Sequence, residues 1–265
     1  CVSSAEDLLR AGDLAGARAA IVARVKAAPG DRDARAFMFQ LFSILGLWDK
    51  AETALTAFVS IAPDAAAFSA VYTALIRSEK DRADVLAGRK PAKLLVAGEP
   101  WADAMVEALT LDATGLADEA AAKRDEGLEG APDTPGTVDG KPVEWLADGD
   151  ARFGPMLECT LNGTYGFIPF DRIRKLEIQP PEQLRDLVWA AARVTLADSA
   201  AIPIYIPVRY PGSHETQDAA LLMARETRWS ENAHGLAIGE GQRLFTSDAD
   251  DFGLLDVRLI EFAKG

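Results

Sequence analysis

The sequence predicts an α+β chain. An α-solenoid of paired helices spans residues 1–132, and a small, mostly antiparallel, partly barrel-like β domain with one helix spans residues 133–265. Three observations carry this. A glycine–alanine–proline unit recurs at a fixed spacing in the first half. Asp-Gly and Asn-Gly dipeptides separate alternating segments in the second. The apolar period changes from helical to strand-like after Pro132.

The stretch from Gly12 to Ala17 recurs as Gly46 to Ala51, 34 positions on, and Ala28-Pro29 recurs as Ala62-Pro63 at the same displacement. A third copy, Gly115 to Ala120 followed by Ala131-Pro132, lies 69 positions beyond the second. In every copy the alanine precedes the proline by 12 residues, which is the tetratricopeptide spacing. Glycine breaks the first helix of a pair, alanine lets the second approach it closely, and proline ends the second. Stacked pairs bury helices nearly all round. Phe37, Met38, Phe39, Leu41, Phe42, Ile44 and Leu45 therefore belong to a helix sandwiched between repeats. Between copies two and three, Asp64 is expected to cap one long helix from Phe68 to Leu86, with Gly88 past its end. A further amphipathic helix carries Trp101, Met105 and Leu109. Six or so helices are expected up to residue 130.

In the second half, Asp139-Gly140 and Asn162-Gly163 supply the positive φ angles of tight hairpins. "IRKLEIQ", "LVWAAARVTL", "AIPIYIPV", "GQRLF" and "LLDVRLIEF" read as strands, the last with Leu255, Val257 and Leu259 on one face. A helix near "TQDAALLMARE" interrupts them. The series suits a partly open barrel.

The 28 basic and 41 acidic residues give a net charge of −13, shared by both halves. Such a surface repels phosphate backbones and anionic lipid, which argues against nucleic-acid and membrane partners. No apolar run reaches the roughly 20 residues needed to span a bilayer, and two cysteines make no disulfide framework, so a reducing cytoplasmic setting is expected. Cys1 would also suit a lipoprotein start, but a truncated start fits better.

No catalytic, cofactor-binding or metal-ligating residue is assigned. His214 and His234 stand 20 positions apart with no cysteine near either, so zinc is not expected. "GLAIGEGQR" lacks the lysine and hydroxyl of a phosphate loop. Asp148-Gly149-Asp150 and Asp248-Ala249-Asp250-Asp251 read as solvated turns rather than calcium loops. Arg185 with Trp189, and Arg209 with Tyr210, pair a fully charged arginine with an aromatic beside β segments. They read either as a partner-recognition rim, where such residues are enriched, or as structural stacking pairs with Asp186 holding Arg185.

"LFSILGLWDKAETAL", "EWLADGDARFGPMLE", "PFDRI", "RDLVWAAARV", "VRYPGS", "GQRLF" and "LLDVR" occur in an order that resembles the ImpE family, also called TagJ or SciE. The resemblance covers nearly the whole chain. It implies a non-enzymatic accessory protein of bacterial type VI secretion, with a repeat-like helical half and a smaller α+β half. It also implies binding to an N-terminal helix of the sheath subunit TssB, and a link to sheath recycling by the ATPase ClpV. Helical repeats agree, since they form concave surfaces suited to a helix. The rival expectation is an enzyme or small-ligand sensor with a pocket in the β half lined by Trp189, Arg209 and Tyr210. A self-assembling structural subunit is a third.

Overall fold

The helices come first: α1 (Ala5–Arg10), α2 (Leu14–Ala27), α3 (Arg32–Ile44), α4 (Trp48–Ile61), α5 (Ala66–Leu86), α6 (Pro100–Ala113) and α7 (Ala117–Gly130). The computed structural model describes residues 3–197, 199–232 and 235–263. α1 with α2, α3 with α4, and α6 with α7 are the three predicted pairs. Each pair turns on its repeated glycine, with φ of +83° at Gly12, +63° at Gly46 and +82° at Gly115. In this left-handed region glycine is favoured over any residue bearing a Cβ. Ala17, Ala51 and Ala120 are fully buried where the paired helices meet. Asp13 and Asp31 cap α2 and α3 by accepting the N–H of Gly16 and Ala34 at 2.8 and 3.0 Å.

Asp64 does not cap the long helix. Pro63–Ala65 form a 3₁₀ turn ahead of α5, and the Asp64 carboxylate instead pairs with Arg32 at 2.8 Å. α3 departs from its expected setting in one respect. It packs on α2 and α4, as the repeat requires, but also on a 3₁₀ turn at Leu184–Leu187 from the second half.

The second half holds β1 (Gly136–Val138), β2 (Lys141–Val143), β3 (Leu146–Asp148), β4 (Met156–Leu161), β5 (Thr164–Pro169), β6 (Ile173–Ile178), β7 (Trp189–Leu196) and β8 (Ile202–Pro207). It continues through the single turn α8 (Ala219–Leu222), then β9 (Thr227–Glu231), β10 (Ala237–Gly241), β11 (Leu244–Ser247), β12 (Asp251–Gly253) and β13 (Leu259–Phe262). The main sheet runs β2-β1-β13-β6-β7-β8-β4-β5, and all its pairings are antiparallel. Two small sheets, β12-β11-β3 and β10-β9, accompany it. Both predicted hairpins form, with positive φ at Asp139, Gly140, Asn162 and Gly163.

The main sheet is open at both ends: its terminal strands β2 and β5 do not pair with each other. Each edge is blunted. β2 carries Pro142, which has no N–H to offer. β5 is covered by a strap in which Leu95 N–H donates to Phe167 O at 2.8 Å and Phe167 N–H donates to Lys93 O at 3.1 Å. Gly166 is required there, since a Cβ would stand 2.7 Å from the Lys93 carbonyl. The "LLDVRLIEF" alternation is corrected. Asp256 and Val257 close a turn on the Gly253 carbonyl, leaving only Leu259–Phe262 as strand.

The two halves share hydrophobic cores. One cluster joins Phe39, Leu55, Tyr72 and Leu75 to Val188, Trp189, Leu222 and Met223. Another joins Trp101 and Met105 to Phe153, Met156, Tyr165 and Tyr210. The inner face offered by α3 and α5, where a solenoid would hold a partner, is therefore taken by this chain's own second half.

Candidate functional site

The four residues selected from sequence come to this junction, and three are interior. Arg185, in the 3₁₀ turn, lies over the rings of Phe68 and Tyr72 at 5.1 and 5.3 Å and donates to the Tyr72 hydroxyl at 2.8 Å. Its backbone N–H donates to Gln40 Oε1 at 3.2 Å, and Asp186 stands 3.8 Å from its guanidinium. Trp189 is 2% exposed, with Nε1 donating to Glu79 Oε1 at 3.0 Å. Tyr210 is 1% exposed, and its hydroxyl donates to Leu244 O at 3.1 Å and accepts Leu244 N–H at 3.0 Å.

Arg209 is 5% exposed and donates to the carbonyls of Ile44 at 2.6 Å, Leu222 at 2.9 Å and Ser43 at 3.4 Å. These carbonyls end α3 and α8, where the last helical turn lacks partners and the helix dipole is negative. Burial pushes the guanidinium down to about 10, so it remains a cation at neutral pH. An exposed recognition rim is thus not what Trp189, Arg209 and Tyr210 build. Their polar atoms are turned onto the chain's own helices and strands.

A network of buried charge surrounds them. Arg82 of α5 meets Glu158 of β4 through two bonds of 2.7 and 2.8 Å, and donates to Arg209 O at 2.9 Å. Glu79, one turn earlier on α5, lies 3.4 Å from the same guanidinium. Glu158 also accepts the Tyr165 hydroxyl at 2.5 Å and pairs with Arg243, which reaches on to Asp148 of β3. Arg243 is stacked over Phe153 and Tyr210 at 5.3 and 5.1 Å. Burial raises the Glu158 carboxyl, but Arg82 and Arg243 outweigh it and hold the group at about 2. Asp148 has fewer donors, namely Arg243 and the Asp150 N–H; burial lifts it to about 6 against the pull of Arg243.

These groups are spent on one another. The space between Trp48, Glu79, Arg82, Arg209, Tyr210 and His214 is a void of about 10 Å³, room for roughly one water. Arg209 and Tyr210 border this void, and a larger cavity of about 320 Å³ shares its Glu79, Arg82 and His214 walls and continues past Pro211 and Gly212. Among the described residues no three His, Cys, Asp or Glu side chains group as a metal site. Cys159 is buried, which pushes its thiol well above the usual range and away from the reactive thiolate. His214 packs beside Trp48 at 5.8 Å; burial, then Arg209, lower its pKa. His234 and Cys1 lie outside the described residues. Asp148 and Asp150 are buried, not solvated as expected, whereas Asp248, Asp250 and Asp251 are exposed.

The comparisons match both halves. A family model described as ImpE protein matches residues 140–261. The type VI secretion system accessory component TagJ of Pseudomonas aeruginosa is 37% identical over 258 residues, covering 97% of this chain and 90% of its own. This chain belongs to the ImpE family. The crystal structure of VPA1032 from Vibrio parahaemolyticus shares the fold, with a TM-score of 0.88 and 18% identity over 98% of each chain. In this ImpE-family chain the model match holds Asp148, Glu158, Arg209 and Arg243, while Glu79 and Arg82 lie in the helices before it. The charge network thus bridges the two regions.

Proposed function

We propose that this chain is a non-enzymatic, cytoplasmic adaptor of bacterial type VI secretion that binds a helix of a TssB-type sheath subunit and assists ClpV-linked sheath recycling. The observation that carries this reading is the 37% identity to a type VI accessory component over 97% of the chain, which spans both halves rather than one generic repeat. The site supports it. The buried carboxylates Glu158 and Asp148 are committed to Arg82 and Arg243, an arrangement that holds helix to strand. No helix among the described residues is long and apolar enough to cross a membrane.

The reading is tested by calorimetric titration of the purified chain with the sheath subunit from the same genome, intact and without its first helix. Binding of the intact subunit that is lost on removing the helix is the expected result. Equal heats for both forms would sink it.

A further inference from the structure

We propose that the free edge of β9 pairs antiparallel with β9 of a second copy of this chain, about a twofold axis at Trp229. This interface does not depend on the adaptor reading. The two ends of the main sheet are guarded against a further strand, β2 by Pro142 and β5 by its strap. β9 has neither device. It carries no proline, pairs only with β10 among the described residues, and four of its five residues are exposed.

Hydrogen bonding in the hairpin fixes which groups of that edge are open. In β10, Gly239 N–H donates to the Asp150 carboxylate at 3.0 Å, Gly241 N–H donates to Ser213 Oγ at 2.8 Å, and Gly241 O accepts Tyr210 N–H at 2.9 Å. These residues turn their backbone away from β9, so Trp229 and Thr227, which stand opposite them, turn theirs away from β10. Glu231, two positions on, does the same. No donor or acceptor among the described residues reaches these outward N–H and C=O groups.

The strand's own sequence selects a second copy as the occupant. With Trp229 opposite Trp229 of the second copy, Thr227 stands opposite Glu231 and Arg228 opposite Ser230. Every outward residue then exchanges both backbone bonds, and two half-exposed tryptophans form an aromatic pair on the axis. No like charges are opposed in this register. A slip of two residues in either direction loses one of the three bonded pairs, and one direction also sets Arg228 against Arg228. Arg228 and Glu231 cancel within the strand, so two chains of net charge −13 can meet here on a neutral edge.

The experiment uses the full chain. Sedimentation velocity from about 5 to 500 µM should show a monomer passing into a dimer, because one strand pair buries less than the roughly 1,000 Å² of a stable interface. Amide exchange read by NMR over the same range should show Thr227, Trp229 and Glu231 gaining protection with concentration, while Arg228 and Ser230, already bonded to β10, do not change. Trp229→Lys opposes two cations on the axis, and Glu231→Pro removes an N–H that has no partner within the chain. Each should weaken the dimer by about tenfold, with melting temperatures within about 3 °C of the parent. Trp229→Phe should keep the dimer. A chain that stays monomeric throughout, or a dimer that leaves these three amides unprotected, overturns the proposal. Protection of the same amides only on adding the sheath subunit would assign the edge to that protein, and would also overturn it.

Discussion

Arg82 and Glu158 lie 76 positions apart in sequence and meet side by side in the interior, through hydrogen bonds of 2.7 and 2.8 Å. Helix α5 is thereby fixed to strand β4, and the helical half to the sheet half.

Glu158→Gln leaves Arg82 and Arg243 buried without their shared counter-charge. Breaking such a buried pair is expected to destabilise by about 3–5 kcal/mol. In a double-mutant cycle, Arg82→Met with Glu158→Gln should cost less than the sum of the singles. Urea unfolding reads both, and additive losses would show the two residues to be uncoupled.

Asp148 gives a pH signature of opposite sign to Glu158. Its folded value of about 6 lies above the ordinary 3.8, so its proton-linked stability is full at low pH and is lost as pH rises through 6. Glu158, held at about 2 against an ordinary 4.5, contributes above 4.5 and loses its contribution as pH falls towards 2. Asp148→Asn should therefore compare best with the parent near pH 7.5. That comparison should worsen by about 2 kcal/mol on going to pH 4.5. Parallel stability curves for parent and variant across this range would contradict the assignment.

Arg209→Met removes the donors that satisfy the ends of α3 and α8. Leaving the Ile44 and Leu222 carbonyls unpaired should cost about 2–4 kcal/mol. Native-state hydrogen exchange should show the amides of α8 opening first, and unchanged protection there would refute the capping role.

Ala51→Leu puts a large side chain where α3 and α4 nearly touch, and overpacking should destabilise by about 1–3 kcal/mol. Ala121→Leu, on the exposed side of α7, should stay within about 0.5 kcal/mol. Equal melts for the two would contradict the helix pairing.

Local spacing made much of this fold legible. The repeat needs glycine, alanine and proline at fixed offsets, and the hairpins need Asp-Gly and Asn-Gly at their tips. The junction was harder to read because its pairs are joined only by tertiary structure, as with Arg243 and Glu158, 85 positions apart. A signal existed in Glu158, a lone acid within the apolar strand Met156–Leu161, whose first five residues are buried on both faces of the sheet. Arg209 and Tyr210 suit a rim as well as an interior, because the same residue types serve interfaces between chains and within one. Here the interface is internal. The alternation at Leu255–Leu259 misled because the Asp139 carboxylate accepts the N–H groups of Arg258 and Leu259, which fixes the chain where the strand begins.

The place of β13 in the main sheet has a consequence for biosynthesis. It is the last of these strands to leave the ribosome, yet it lies between β1 and β6. Domains commonly fold as units as they emerge. Here the helices emerge early, carrying the aromatic strip of Phe39, Phe68 and Tyr72 that awaits its cover. The β1–β2 hairpin then has no seat in the sheet until Leu259–Phe262 arrive to join it to β6. Completion of the sheet is thus deferred until its other strands have emerged, and a nascent chain stalled before Leu259 would carry an unfilled slot between its first and sixth strands.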